Sequence, residues 1–176
     1  MHDFTMFKNI ILTGFMGVGK TSVGKQLAED LGYTFVDIDK LIEADQNLSI
    51  TSLFSKFGEP YFRDVEAAII QQVMTGEGQV VSAGGGAVIR DANRNAFKKG
   101  GFVVCLTASP DVIYERLKHE THRPLLQTAD PRATIKELLA SRETFYAQAD
   151  VSIDTSDKSI GDIIKAIKER IRYAYC

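Results

Sequence analysis

The stretch Gly14-Phe15-Met16-Gly17-Val18-Gly19-Lys20-Thr21 matches G-x-x-x-x-G-K-[ST] in full. It also joins two segments of different periodicity. Before it, Lys8-Asn9-Ile10-Ile11-Leu12-Thr13 is a short apolar run of the kind that makes a buried strand. After it, Val23, Leu27, Ala28 and Leu31 recur at helical spacing until Gly32 supplies a stop. A strand that turns through glycines into a helix leaves few folds open. The glycines let successive backbone N–H groups turn inward round phosphate oxygens, and the helix N-terminus adds the positive end of its dipole. Gly17, Val18, Gly19, Lys20, Thr21 and Ser22 are therefore expected to hold a nucleoside triphosphate. Lys20 would reach the β and γ phosphates, and the Thr21 hydroxyl would ligate Mg²⁺. The motif does not say what receives the phosphate.

The remaining chain alternates strand and helix. Thr34–Asp37 reads as a second strand, and the stretch from about Asp39 to Thr75 as helical throughout, with starts at Ser49 and at Glu59-Pro60. Gln79–Ala83 is a third strand that ends in glycines, Asp91–Gly100 a helix, and Phe102–Thr107 a fourth strand. Ser109-Pro110 opens a helix through Leu117. Residues 119–130 are polar, carry Pro124 and lack periodicity, which predicts a long loop acting as a lid. Asp130-Pro131 starts a helix towards Tyr146, Val151–Ile153 is a fifth strand, and Ile160–Ile171 an amphipathic helix. Such alternation predicts an α/β fold, with a parallel sheet covered by helices on both faces. At 176 residues, without repeats or an interdomain linker, the chain reads as one domain.

A formal net charge of −2 is close to neutral, and nothing in the sequence suggests the basic footprint of a nucleic-acid binder. No apolar run reaches the ~18–20 residues that a membrane span needs. Cys105 reads as a small buried hydrophobe and Cys176 as an incidental tail residue, with no metal-ligand spacing between them. Only Met1-His2-Asp3-Phe4 and a few residues more precede the first strand, too little for a signal peptide, so a cytoplasmic protein is expected.

Three features bear on the acceptor. Asp37 and Asp39 end the second strand, and on an extended segment residues i and i+2 share a face, so both carboxylates could point at the phosphate loop. One could hold Mg²⁺ while the other accepts a proton from an attacking hydroxyl. Ser82-Ala83-Gly84-Gly85-Gly86 follows a strand and permits close backbone approach to a small polar ligand. Arg63, Arg123 and Arg142 supply forks suited to carboxylate or phosphate. Each of these alone has a bland reading as a cap, a turn or a surface residue.

Taken in order, the phosphate loop, Asp37-x-Asp39, Phe62-Arg63-x-x-Glu66, Gly84-Gly85-Gly86, Arg123-Pro124-Leu125-Leu126 and Arg142-Glu143-x-x-x-Tyr146 resemble the shikimate kinases over Ile10 to about Thr155. The resemblance implies a three-layer phosphate-loop kinase fold with a five-stranded parallel sheet in the order 2-3-1-4-5, a substrate-binding insert at about 39–76 and a mobile lid at about 119–130. It implies Mg²⁺-dependent transfer of the ATP γ-phosphoryl group to the 3-hydroxyl of shikimate, on the route to aromatic amino acids, by a monomer without nucleic-acid or membrane partners. Asp39 would be the base, with Lys20 and Arg123 also catalytic. Arg63 and Arg142 would clamp the substrate carboxylate, Glu66 would orient Arg63, and Gly84, Gly85 and Gly86 would close the pocket. Thr21 and Asp37 would serve the metal. Arg116 would pack near adenine, with Thr155–Lys158 bordering it and Lys158 among the nucleotide contacts. Phe54, Phe57 and Phe62 read first as core, one or more of them walling the substrate ring.

Two other readings compete. Another small phosphate-loop kinase, for gluconate or a nucleoside monophosphate, shares the loop; a nucleotide acceptor would need a second base pocket and more cations. A guanine-nucleotide switch would want an N-K-x-D stretch, and the sequence has none.

Overall fold

The carboxyl ends of three neighbouring strands carry the three glycine- or acid-rich motifs, and strand order is what makes them neighbours. The structure is a computed structural model in which residues 7–120 and 126–174 are described. Strands β1 (Asn9–Thr13), β2 (Thr34–Asp37), β3 (Gln79–Ser82), β4 (Phe102–Thr107) and β5 (Val151–Asp154) form one parallel sheet in the order β2-β3-β1-β4-β5. The buried amide of Asn9 fixes its start: Nδ2 donates to Gly76 O at 2.9 Å and Gly100 O at 3.0 Å, while Oδ1 accepts from the Gln79 amide at 3.1 Å.

Among the described residues seven α-helices cover the sheet: α1 (Lys20–Leu31), α2 (Ile38–Gln46), α3 (Ile50–Val73), α4 (Asp91–Gly100), α5 (Pro110–Leu117), α6 (Pro131–Tyr146) and α7 (Ile160–Tyr173). Alternation along each strand splits the core in two. Ile10, Leu12, Val80 and Val104 pack on one side with Val23 and Leu27 of α1, Ile113 of α5, Ile135 of α6 and Ile167 of α7. Ile11, Val81 and Val103 pack on the other with Ile42 of α2, Leu53 and Ile70 of α3 and Phe97 of α4. Each such side chain, fully buried, contributes about 1.5–3 kcal/mol. Cys105 is buried among the first set, as a small hydrophobe should be; Cys176 lies outside the described residues.

The helical reading of the insert holds, including both starts. Ser49 Oγ accepts from the Ser52 amide at 3.2 Å, capping α3. The helix then breaks at Gly58, φ 80°, and resumes through Glu59-Pro60. One local element went unforeseen. A 3₁₀ turn at Ala87–Ile89 follows the glycines, and the buried Asn93 secures it by donating from Nδ2 to Ala87 O at 2.9 Å. Helices α5 and α6 bound the segment expected to be a lid, of which 121–125 fall outside the described residues.

Candidate active site

The phosphate loop follows β1, Asp37 closes β2, and Gly84 lies just past β3. Because β2, β3 and β1 are adjacent, all three motifs meet outside the carboxyl edge of the sheet, where α/β folds bind ligands.

The loop is built by its glycines and its apolar anchors. Gly14 has φ 132°, and a Cβ there would fall 2.2 Å from the carbonyl oxygen of Leu106. Phe15 and Val18 turn their side chains into the core, so Val18 can meet a ligand through its backbone alone. Lys20 Nζ donates to the carbonyls of Gly14 at 2.7 Å and Phe15 at 2.8 Å, which keeps the ammonium over the loop. A cavity of about 180 Å³ is lined by Gly17, Gly19, Lys20, Thr21, Ser22, Asp37 and Asp39.

A second cavity, of about 730 Å³, adjoins the first and shares Thr21, Asp37, Asp39, Gly84 and Gly85 with it. The two carboxylates arrive there by a route other than the one expected. Asp37 is the N-cap of α2, its Oδ1 accepting from the Lys40 amide at 3.3 Å, and Asp39 stands in that helix's first turn. They reach the same mouth because the strand becomes a helix between them, not because they share an extended face. Anions at a helix N-terminus are favoured there by the dipole.

Arg63, Glu66, Gly86 and Arg142 line the larger cavity with the aromatic rings of Phe54 and Phe62. Phe57 does not: it is exposed and meets the Tyr61 ring in a tilted contact, with centroids 4.7 Å apart. Arg63 is held by carboxylates three and four residues along its helix, Nη1 donating to Glu66 at 2.8 Å and Nη2 to Glu59 at 3.1 Å. Burial pushes the Glu66 carboxyl up from its ordinary range, Arg63 pulls it back, and nearby Asp39 adds to the rise. The glycines serve this arrangement by leaving space. A Cβ at Gly86 would sit 2.2 Å from Arg63 Nη2, and one at Gly84 would lie 2.9 Å from Glu66 Oε1 and 3.0 Å from Asp39 Oδ1.

Arg142 is buried at 3% exposure, over the Phe15 ring at 5.6 Å. Among the described residues it makes no ion pair, and its Nη1 is one of three buried polar side-chain atoms lacking a hydrogen-bond partner, with Glu66 Oε1 and Asn93 Oδ1. One turn further on, Tyr146 donates its hydroxyl to Gly85 O at 2.6 Å, and burial pushes its pKa up to about 12.

Arg116 sits at the outer side of the phosphate loop, Nη1 donating to Gly17 O at 3.0 Å. Thr155, the first residue of the segment expected to border adenine, is 1% exposed. Lys158 is exposed, and its Nζ donates to Asp154 O at 2.9 Å. Arg123 lies outside the described residues. Glu120 lines both cavities and was not anticipated; it follows α5 and stands outside the Arg123-Pro124-Leu125-Leu126 motif. Tyr146 was visible only as the end of a pattern, without a role.

A phosphate loop opening onto a small cavity that carries an acid and buried guanidinium groups defines a small-molecule phosphotransferase. The comparisons narrow the class. A family model described as shikimate kinase matches residues 16–172, and the chain belongs to that family. A shikimate kinase of Thermodesulfovibrio yellowstonii is 50% identical over 163 residues, covering 92% of this chain and 94% of the relative. That of Geobacter metallireducens is 46% identical over 91% of this chain and 89% of its own length. The structure of the Acinetobacter baumannii shikimate kinase in complex with shikimate superposes with a TM-score of 0.94 at 34% identity, covering 98% of this chain and 97% of that one.

Proposed function

We propose that the chain transfers the γ-phosphoryl group of ATP to the 3-hydroxyl of shikimate, giving shikimate 3-phosphate and ADP. The observation that carries the acceptor is Arg142, a buried cation with no protein anion among the described residues, lining one cavity with Asp39. An uncompensated buried charge is costly, and a ligand carboxylate would remove that cost. Arg63 supplies a second fork at the same cavity, so the carboxylate of shikimate is clamped by two guanidinium groups.

The phosphates of ATP lie in the loop of Gly17, Val18, Gly19, Lys20, Thr21 and Ser22, with Arg116 and Lys158 towards the nucleoside. Thr21 and Asp37, a hydroxyl and a carboxylate lining one small cavity, fit Mg²⁺, which takes few protein oxygens and completes its shell with phosphate and water. When bound, Mg²⁺ neutralises charge on the β and γ oxygens. Asp39 accepts the proton of the 3-hydroxyl as its oxygen bonds to phosphorus, the bond from phosphorus to the β–γ bridging oxygen breaks, and ADP leaves. Lys20, and Arg123 from the lid, offset charge on the transferring group, and closure of residues 119–130 excludes water.

The reading also makes the chain a single domain, with its insert at about 39–76, acting as a cytoplasmic monomer on small molecules, without nucleic-acid or membrane partners. No helix among the described residues is long and apolar enough to cross a membrane. Phosphorylation assays with ATP against shikimate, gluconate, AMP and CMP test the function. Turnover of shikimate alone is expected; activity on another acceptor with none on shikimate rejects it.

A further inference from the structure

The outer side of the phosphate loop is pinned by two residues, one buried and one exposed. Thr155, just past β5, places its hydroxyl 3.0 Å from Val18 O and 3.0 Å from Thr107 O, while its own amide donates to Thr107 O at 2.8 Å. Arg116 of α5 grips the same point. Its Nη1 donates to Thr155 Oγ1 at 3.2 Å and to Gly17 O at 3.0 Å, and its Nη2 to Thr155 O at 3.1 Å. At 1% exposure, the Thr155 side chain has no surface to offer an adenine ring.

A trans peptide is planar, so its C=O and N–H point in opposite directions. The described chain contains no cis bond. Holding Gly17 O outward therefore turns the Val18 amide inward, and holding Val18 O outward does the same for the Gly19 amide. These are amides a phosphate loop needs, and their carbonyls must otherwise find partners in water or be free to rotate.

We propose that Thr155 and Arg116 are positioning residues for phosphate binding: they fix the Gly17 and Val18 carbonyls so that the Val18 and Gly19 amides are aimed at the nucleotide's phosphates. Thr155 acts through the loop alone, and Arg116 does so in addition to its place towards the nucleoside. This rests on the nucleotide reading above, and a base-free probe separates the two.

The test is calorimetric titration of wild type, T155V, T155S and R116K with Mg²⁺-ADP and with inorganic tripolyphosphate. T155V keeps the shape and removes the hydroxyl, and is expected to weaken both ligands by the same factor, about tenfold. T155S keeps the hydroxyl and should stay within about twofold of wild type, the rescue that a packing role would not give. R116K keeps the charge but loses the fork, and should weaken tripolyphosphate as well. Loss of ADP affinity alone makes Thr155 a contact to the nucleoside and overturns the proposal. So does T155S binding as weakly as T155V. Unchanged tripolyphosphate affinity in R116K overturns it even if T155V fails to fold. A wild-type protein that binds neither ligand rejects the nucleotide reading itself, and the pair's role with it.

Discussion

The Cβ that any other residue would carry at position 86 falls 2.2 Å from Nη2 of Arg63, so the third glycine exists to let a guanidinium lie flat against the backbone. The clashing atom is the far end of a flexible side chain. In Gly86→Ala the fold should therefore survive, with Arg63 pushed from its place between Glu59 and Glu66. Expected is a loss of roughly tenfold to a hundredfold in kcat/KM for shikimate, carried by KM, with the KM for ATP unmoved. Steady-state kinetics decide it, and an unchanged shikimate KM would remove Arg63 from the clamp.

Gly14 gives the opposite outcome. Its Cβ would also fall at 2.2 Å, but against the backbone oxygen of Leu106, and at φ 132°, where side chains are strained. Neither β1 nor β4 can yield without breaking the sheet. Gly14→Ala should thus lower stability by at least about 1–3 kcal/mol from strain alone, measured by denaturant unfolding. Wild-type stability would show that the loop can relax.

Most of the fold was legible because its signals are local. Gly32 ends α1, Ser49 caps α3, and Pro131 opens α6 as sequence rules require. The site was legible as a set of residue types but not as a geometry. Asp37 and Asp39 were placed on one strand face, whereas a helix begins between them; a two-residue spacing cannot reveal that. Gly84 and Gly86 suggested close backbone approach to a ligand; their tightest neighbours are Asp39, Glu66 and Arg63, a demand for space that only packing exposes. Proximity along the chain says nothing about which way the Thr155 hydroxyl turns, which is towards Val18 O. Long-range contacts such as Tyr146 to Gly85, 61 residues apart, leave no periodic trace at all.

Arg142→Lys separates charge from shape. Lysine retains the cation but cannot make a planar two-point contact with a carboxylate. Shikimate affinity should fall by roughly tenfold, while ATP binding holds. Equal affinity for shikimate in isothermal titration would place the substrate carboxylate elsewhere.

Asp39→Asn tests the base. The amide preserves size and can still hydrogen-bond a hydroxyl, yet accepts no proton. A fall in kcat of about 10²–10⁴ is expected, with shikimate binding largely kept. Should kcat remain within about threefold of wild type, far inside that range, another group takes the proton.

Tyr146 links the glycine triplet to the helix of Arg142, and its titration can be read directly. Burial favours the neutral phenol and lifts its pKa from 10 in the free side chain to about 12. For a group whose pKa rises on folding, the stabilisation is complete below the unfolded value and is lost as pH climbs through the folded one. The window is therefore pH 10 to 12. Across it the wild type should shed about 2–3 kcal/mol more than Tyr146→Phe, which has no proton to lose. At neutral pH the same variant should be less stable by about 1–3 kcal/mol, because the Gly85 carbonyl loses its donor. Urea unfolding at pH 8, 10 and 11.5 checks both claims. Parallel losses in the two proteins over that window would mean that the phenol is hydrated, and that Gly85 is held by something other than Tyr146.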